Sequence, residues 1–163
     1  VNETKVVADF NKALTYFDNS NIKRLCGEFS LQILKDGVYY GYAYEGTDGI
    51  VIQELPWQWC RSQYKIRGVP AIEFDMKFFD TKYPSVGYRM KVLNLFPPEF
   101  KKGYELYKQG KLPADDPYVP EGTAKGHWYL LDPECAFKLS LYGTNDLPFF
   151  VNAIPEILDL EKA

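Results

Sequence analysis

Two β-rich runs facing each other across a glycine-bracketed turn constrain this chain more than any other feature. Residues 38–44 (VYYGYAY) and 50–55 (IVIQEL) are rich in Tyr, Val and Ile, side chains that fit a pleated surface. Between them lies Glu45-Gly46-Thr47-Asp48-Gly49, whose glycines tolerate the positive φ of reversing turns. The spacing predicts an antiparallel hairpin with a loop of about five residues. Pro56 has no N–H to give to a ladder, so it closes the second strand. Proline also suits a first helical turn, so residues 56–60 are expected to form one turn carrying Trp57 and Trp59.

Helical spacing precedes this hairpin. Val6, Val7, Phe10, Ala13, Leu14 and Phe17 predict an amphipathic helix over residues 4–17. The polar break DNSN at 18–21 is rich in residues that cap a following helix. Ile22, Leu25, Cys26, Phe29 and Ile33 mark that second helix, which Gly37 ends. The two helices are expected to pack as an antiparallel pair, or to belong to a bundle only partly present.

Past the hairpin, Arg67-Gly68 suits a tight turn between extended residues 63–66 and 69–76. Ile72, Phe74 and Met76 share one face of the second run, and Pro70 places its start at an edge. Asp80 or Thr81 is expected to cap a short helix. Residues 88–96 fit a helix better than a strand, and Pro98 opens a clearer helix that Gly110 ends. Residues 112–126 carry three prolines and are expected to be an exposed, mobile loop. A strand at 127–131, a turn at Asp132-Pro133-Glu134 and an extended run at 136–141 follow. Residues 149–151 read as extended, and a last helix is expected to start at Glu156. Strand, X-Pro turn with a cysteine, and strand occur twice, at 50–66 and 128–141, as a shape without a sequence repeat.

These elements predict an α+β fold of antiparallel β-hairpins packed with several helices, including the N-terminal pair. At 163 residues the chain is expected to be a single domain or a fragment of a larger chain. It reads as helical over 1–37 and mixed α/β over 38–163. The start at Val1 and the closing LDLEKA pattern, which can continue, point to an excised piece.

The net charge of −3 argues against an autonomous nucleic-acid binder, which needs a basic face for phosphates. No apolar run reaches the 18 or so residues of a membrane span. Cys26, Cys60 and Cys135 include no CxxC pair, so they read as buried free thiols of a reducing cytoplasm. The 17% aromatic share fits a core with tyrosine rims, or an interface.

Candidate chemistry is sparse. His127 is the single histidine and has no nucleophile motif beside it, so it reads as a solvent-accessible strand-end residue. Glu54, Glu73 and Asp75 lie on expected strands as solvent-facing acids, and nothing in the sequence makes two of them face each other. Asp115-Asp116 lacks the ligand density of a calcium loop. There is no phosphate-loop motif. No catalytic, cofactor-binding or metal-binding residue is assigned. Trp57, Trp59 and Arg61 remain the oddest group, because indoles beside a guanidinium stack on sugars, bases or proteins. Two positions apart on a helical turn, the indoles point to opposite sides, and one is expected to plug the core. With Tyr42 and Tyr44, these three are the candidate interface residues.

Taken together, KDGVYYGYAYEGTDGIVIQELPWQWCRS, VPAIEFDMKFFD, LFPPEFKKGYELYKQGKLP, GHWYLLDPECAFKL and PFFVNAIPEILDL resemble the portal proteins of tailed bacteriophages. Trp57-Gln58-Trp59-Cys60-Arg61 stands where those chains carry an LPxxYCR-like turn. The resemblance implies a structural subunit from the outer, wing-side part of a dodecameric ring. It further implies residence at a capsid vertex in the virion and assembly in the host cytoplasm. Its implied partners are its own copies, capsid, packaging motor and tail-connector proteins, with DNA passing through without sequence-specific contact. The resemblance implies no cofactor, no membrane and no catalysis. The alternative is a small non-catalytic module binding carbohydrate or protein through Trp57 and Trp59. A third class, a hydrolase built on paired carboxylates or His127, has no motif behind it.

Overall fold

The structure, a computed structural model, describes residues 3–19, 21–46, 49–113 and 126–141. The extended run at 149–151 and the helix from Glu156 lie outside the described residues, as does most of the expected loop at 112–126. The chain divides into two compact units, residues 1–55 with 138–163 and residues 56–137. The helical start and the hairpin therefore belong to one unit, and the division falls at the end of the hairpin, before Pro56.

In the first unit, helix α1 (Glu3–Asn19) and helix α2 (Ile22–Asp36) precede strands β1 (Val38–Gly46) and β2 (Gly49–Leu55). Gly37 ends α2 at φ 83, donating its N–H to Ile33 O at 2.9 Å, as the left-handed cap requires. The hairpin is longer than its sequence suggests. Pairing runs from Tyr40↔Leu55 to Gly46↔Gly49, so both glycines sit in the ladder and only positions 47 and 48 join the strands. β1 is the central strand, flanked by β2 and β8 (Ala136–Ser140), which belongs to this unit from Lys138 onward. Val38 to Tyr42 are buried on consecutive residues, so this half of β1 is covered on both faces and lacks the alternation of a half-exposed strand. Phe29 of α2 packs its ring 4.5 Å from Tyr39.

Tyr39 carries an electrostatic consequence. Burial pushes its hydroxyl up to about 12, and the carboxylates of Glu54 and Glu28 add to the rise. The raised folded-state value means the stabilisation is whole below the ordinary tyrosine value of about 10 and is lost as pH climbs toward the folded value. Stability is expected to fall between pH 10 and about 12. In Tyr39→Phe this fall is expected to shrink, read as denaturant midpoints across that window. Equal slopes in the two proteins would exclude Tyr39 as its source.

α2 does not cover the apolar stripe of α1, as the expected antiparallel pair would require. Every residue from Glu3 to Thr15 of α1 is exposed, including Val6, Val7, Phe10 and Leu14 on its apolar stripe. α2 lies on β1, whereas α1 approaches β2.

The second unit begins with a 3-10 turn at Trp57–Trp59, as Pro56 predicts. Strands β3 (Cys60–Arg61), β6 (Glu73–Asp75) and β7 (Trp128–Leu130) form an antiparallel sheet with β6 central. Between β3 and β6, β4 (Lys65–Ile66) and β5 (Val69–Pro70) make a separate two-stranded hairpin. Its turn places Arg67 at φ 51 and Gly68 at φ 86, the two positive φ values of a type I′ turn. The extended run after Arg67-Gly68 is therefore split, and its second half pairs with β3.

Helices α3 (Lys77–Lys82), α4 (Val86–Leu93) and α5 (Pro98–Lys108) follow. Neither Asp80 nor Thr81 caps α3, since both lie inside it. The Asp75 carboxylate instead accepts from the Lys77 N–H at 2.9 Å. The core is an aromatic cluster. Phe74 lies with its ring 5.3 Å from Phe100, 5.4 Å from Phe78 and 6.0 Å from Phe79. Phe96 and Trp59 extend the cluster. Much of the aromatic excess is thus interior packing.

Gly103 lets α5 approach the sheet. A Cβ there would lie 2.6 Å from Met76 Cε and 2.7 Å from Tyr129 Cγ. The methionine end can yield, but the root of the tyrosine ring cannot. Gly103→Ala gains up to about 1 kcal/mol of helix propensity. Overpacking of about 1–3 kcal/mol is expected to exceed that gain. A lower urea midpoint is the expected result, and an unchanged or raised one would mean that the helix shifts freely.

Candidate functional site

Strand register gathers several polar residues singled out in the sequence onto one face. Arg61 pairs with Glu73, Glu73 with Leu130, and Asp75 with Trp128. Directly opposed residues share a face, and alternate residues along a strand return to it. Arg61, Glu73, Asp75 and Trp128 therefore project together, while Cys60, Phe74 and Tyr129 take the core side. Of the three thiols expected to be buried, Cys60 and Cys135 are half-buried and Cys26, on α2, is exposed. Burial pushes the Cys60 thiol well above its ordinary range, which keeps it protonated and a poor nucleophile.

On the polar face the charges are committed to one another. Arg61 Nε donates to Glu73 Oε2 at 2.7 Å, and its guanidinium lies 4.2 Å from the centre of the Trp128 ring. The imidazole of His127 lies 5.3 Å from the same indole. Its Nδ1 is 2.8 Å from Asp75 Oδ1, although the alignment falls short of a formed hydrogen bond. His127 is thus not the solvent-accessible residue expected at a strand end. Its side chain is 18% exposed, because its carbonyl accepts from the Met76 N–H at 2.8 Å and draws it against β6. Glu73 and Asp75 likewise do not face solvent as unengaged acids. Glu54 belongs to the other unit.

The aromatic candidates separate. Trp59 packs edge-on against Phe78 at 5.7 Å but stays half-buried, so neither indole plugs the core as expected. Trp57 is 39% exposed. Tyr42, expected at the surface, is 5% exposed, since it lies on the covered central strand. Tyr44, two positions further along β1 and half-buried, has its ring 6.4 Å from that of Tyr42.

A second ionic cluster escaped sequence reasoning. Arg89 of α4 is buried. Its Nε donates to Tyr83 O at 3.0 Å, Nη2 to Pro84 O at 2.7 Å and Nη1 to the Tyr104 hydroxyl at 2.8 Å. Nη1 also pairs with Asp80. The Tyr104 hydroxyl donates to Asp80 Oδ1 at 2.7 Å, and Lys108 Nζ donates to Asp80 Oδ2 at 2.8 Å. Desolvation alone would raise the Asp80 carboxyl. Hydrogen bonds from Lys108 and Tyr104, with the charges of Lys108 and Arg89, outweigh it and lower the pKa. Lys108 is raised in turn, chiefly by its bond to Asp80. The cluster ties α3, α4 and α5 together. Its one sequence signal is an arginine in the apolar run at 88–96, while the cluster's other side chains, Asp80, Tyr104 and Lys108, lie 9 to 19 positions from it.

Among the described residues no cluster of three or more His, Cys, Asp or Glu side chains has metal-site geometry. No helix among them is long and apolar enough to cross a membrane. The fold is α+β, with antiparallel sheets in both units. No protein-family model, curated protein or solved structure matches the chain.

Proposed function

We propose that this chain is the wing-side part of a portal-type subunit, a structural element of a ring through which phage DNA is packaged and ejected. Its copies are its main partners, and capsid, packaging-motor and tail-connector proteins adjoin the ring at the capsid vertex. DNA passes through without sequence-specific contact. The mechanism is geometric: identical subunits packed head-to-tail until rotation closes the ring.

The observation that supports this reading best is α1. Its Phe10 is 62% and its Val7 57% exposed, with Val6 and Leu14 beside them. A helix draws most of its stability from packing an apolar face. Full cover of such side chains is worth about 1.5–3 kcal/mol each. A neighbouring copy in a ring would supply that cover. The commitment of Arg61, Glu73, Asp75 and His127 to each other also suits a scaffold.

The alternative, a binding module working through Trp57 and Trp59, keeps one support, the exposed ring of Trp57. Trp59 is half-buried with its ring against Phe78, and Arg61 already occupies a face of Trp128.

Negative-stain imaging of the protein at assembly concentration, with and without scaffold, tests the proposal. Rings of about a dozen copies around a central hole are expected from cyclic closure. Phe10→Asp is expected to lose them while keeping its circular dichroism. A monomer under both conditions would overturn the reading. Rings that survive Phe10→Asp would remove α1 from the interface.

A further inference from the structure

We draw no further inference here: the strongest candidate, the exposed apolar pair Val86 and Met90 one turn apart on α4, is an unpartnered face, and nothing in the structure shows what covers it.

Discussion

Phe74→Ala is expected to destabilise the second unit by about 3–5 kcal/mol, the range for deleting a buried phenylalanine ring. Phe74 is fully buried on the central strand β6. Its ring meets Phe78 and Phe79 of α3 and Phe100 of α5 edge-on or tilted. Two helices thus dock on the sheet through one side chain. Deleting it removes the transfer energy of the ring, leaves a cavity, and breaks edge-to-face contacts worth about 0.5–1.5 kcal/mol each beyond their area. Phe74→Leu keeps most of the volume and is expected to lose clearly less. Urea unfolding followed by near-ultraviolet circular dichroism reads both. A loss below about 1.5 kcal/mol for alanine would mean that the helices close over the gap and that the cluster is not the core of this unit.

What the sequence made legible follows from how local each signal is. The proline at 56, the Arg67-Gly68 turn and the Gly37 cap act through their own backbone, and each stands where the residue type requires it. The α+β class is legible for the same reason, since periodicity and turn chemistry lie within short windows. The failures concern partners distant in the chain. Tyr42 reads as a surface aromatic because its local sequence does not show that this half of β1 is covered on both faces. His127 reads as exposed until β6 places Asp75 beside it. Residues 45–49 read as a loop because composition does not reveal that Gly46 and Gly49 pair across the ladder. Asp80 has the chemistry of a cap, and its actual partners lie on two other helices. The aromatic excess suggested an interface because a ring cluster assembled from residues 59 to 104 has no periodicity to announce it.

Arg89→Met is expected to cost about 2–3 kcal/mol, less than breaking a fully buried charge pair, because Asp80 is 25% exposed and keeps Lys108 and Tyr104. Much of that cost lies outside the pair. The guanidinium is the shared donor for the carbonyls of Tyr83 and Pro84, and methionine leaves both without it. Arg89→Lys keeps the charge but not the planar fork, so it is expected to recover only a minor part. Acid unfolding separates the two roles. Asp80 has a lowered folded-state pKa. Its contribution is therefore present above the ordinary carboxylate value of about 4 and is lost as pH falls through the lowered one. Asp80→Asn is expected to flatten that acid limb. Lys108→Met is expected to shrink it, because Lys108 supplies the leading stabilising bond, whereas the charge of Arg89 ranks lower. Arg89→Met is accordingly expected to lower stability at neutral pH while leaving most of the acid limb in place. If Arg89→Met instead abolished the limb and cost little at pH 7, the arginine would act as a counter-charge and not as the clamp between α4 and the segment before it.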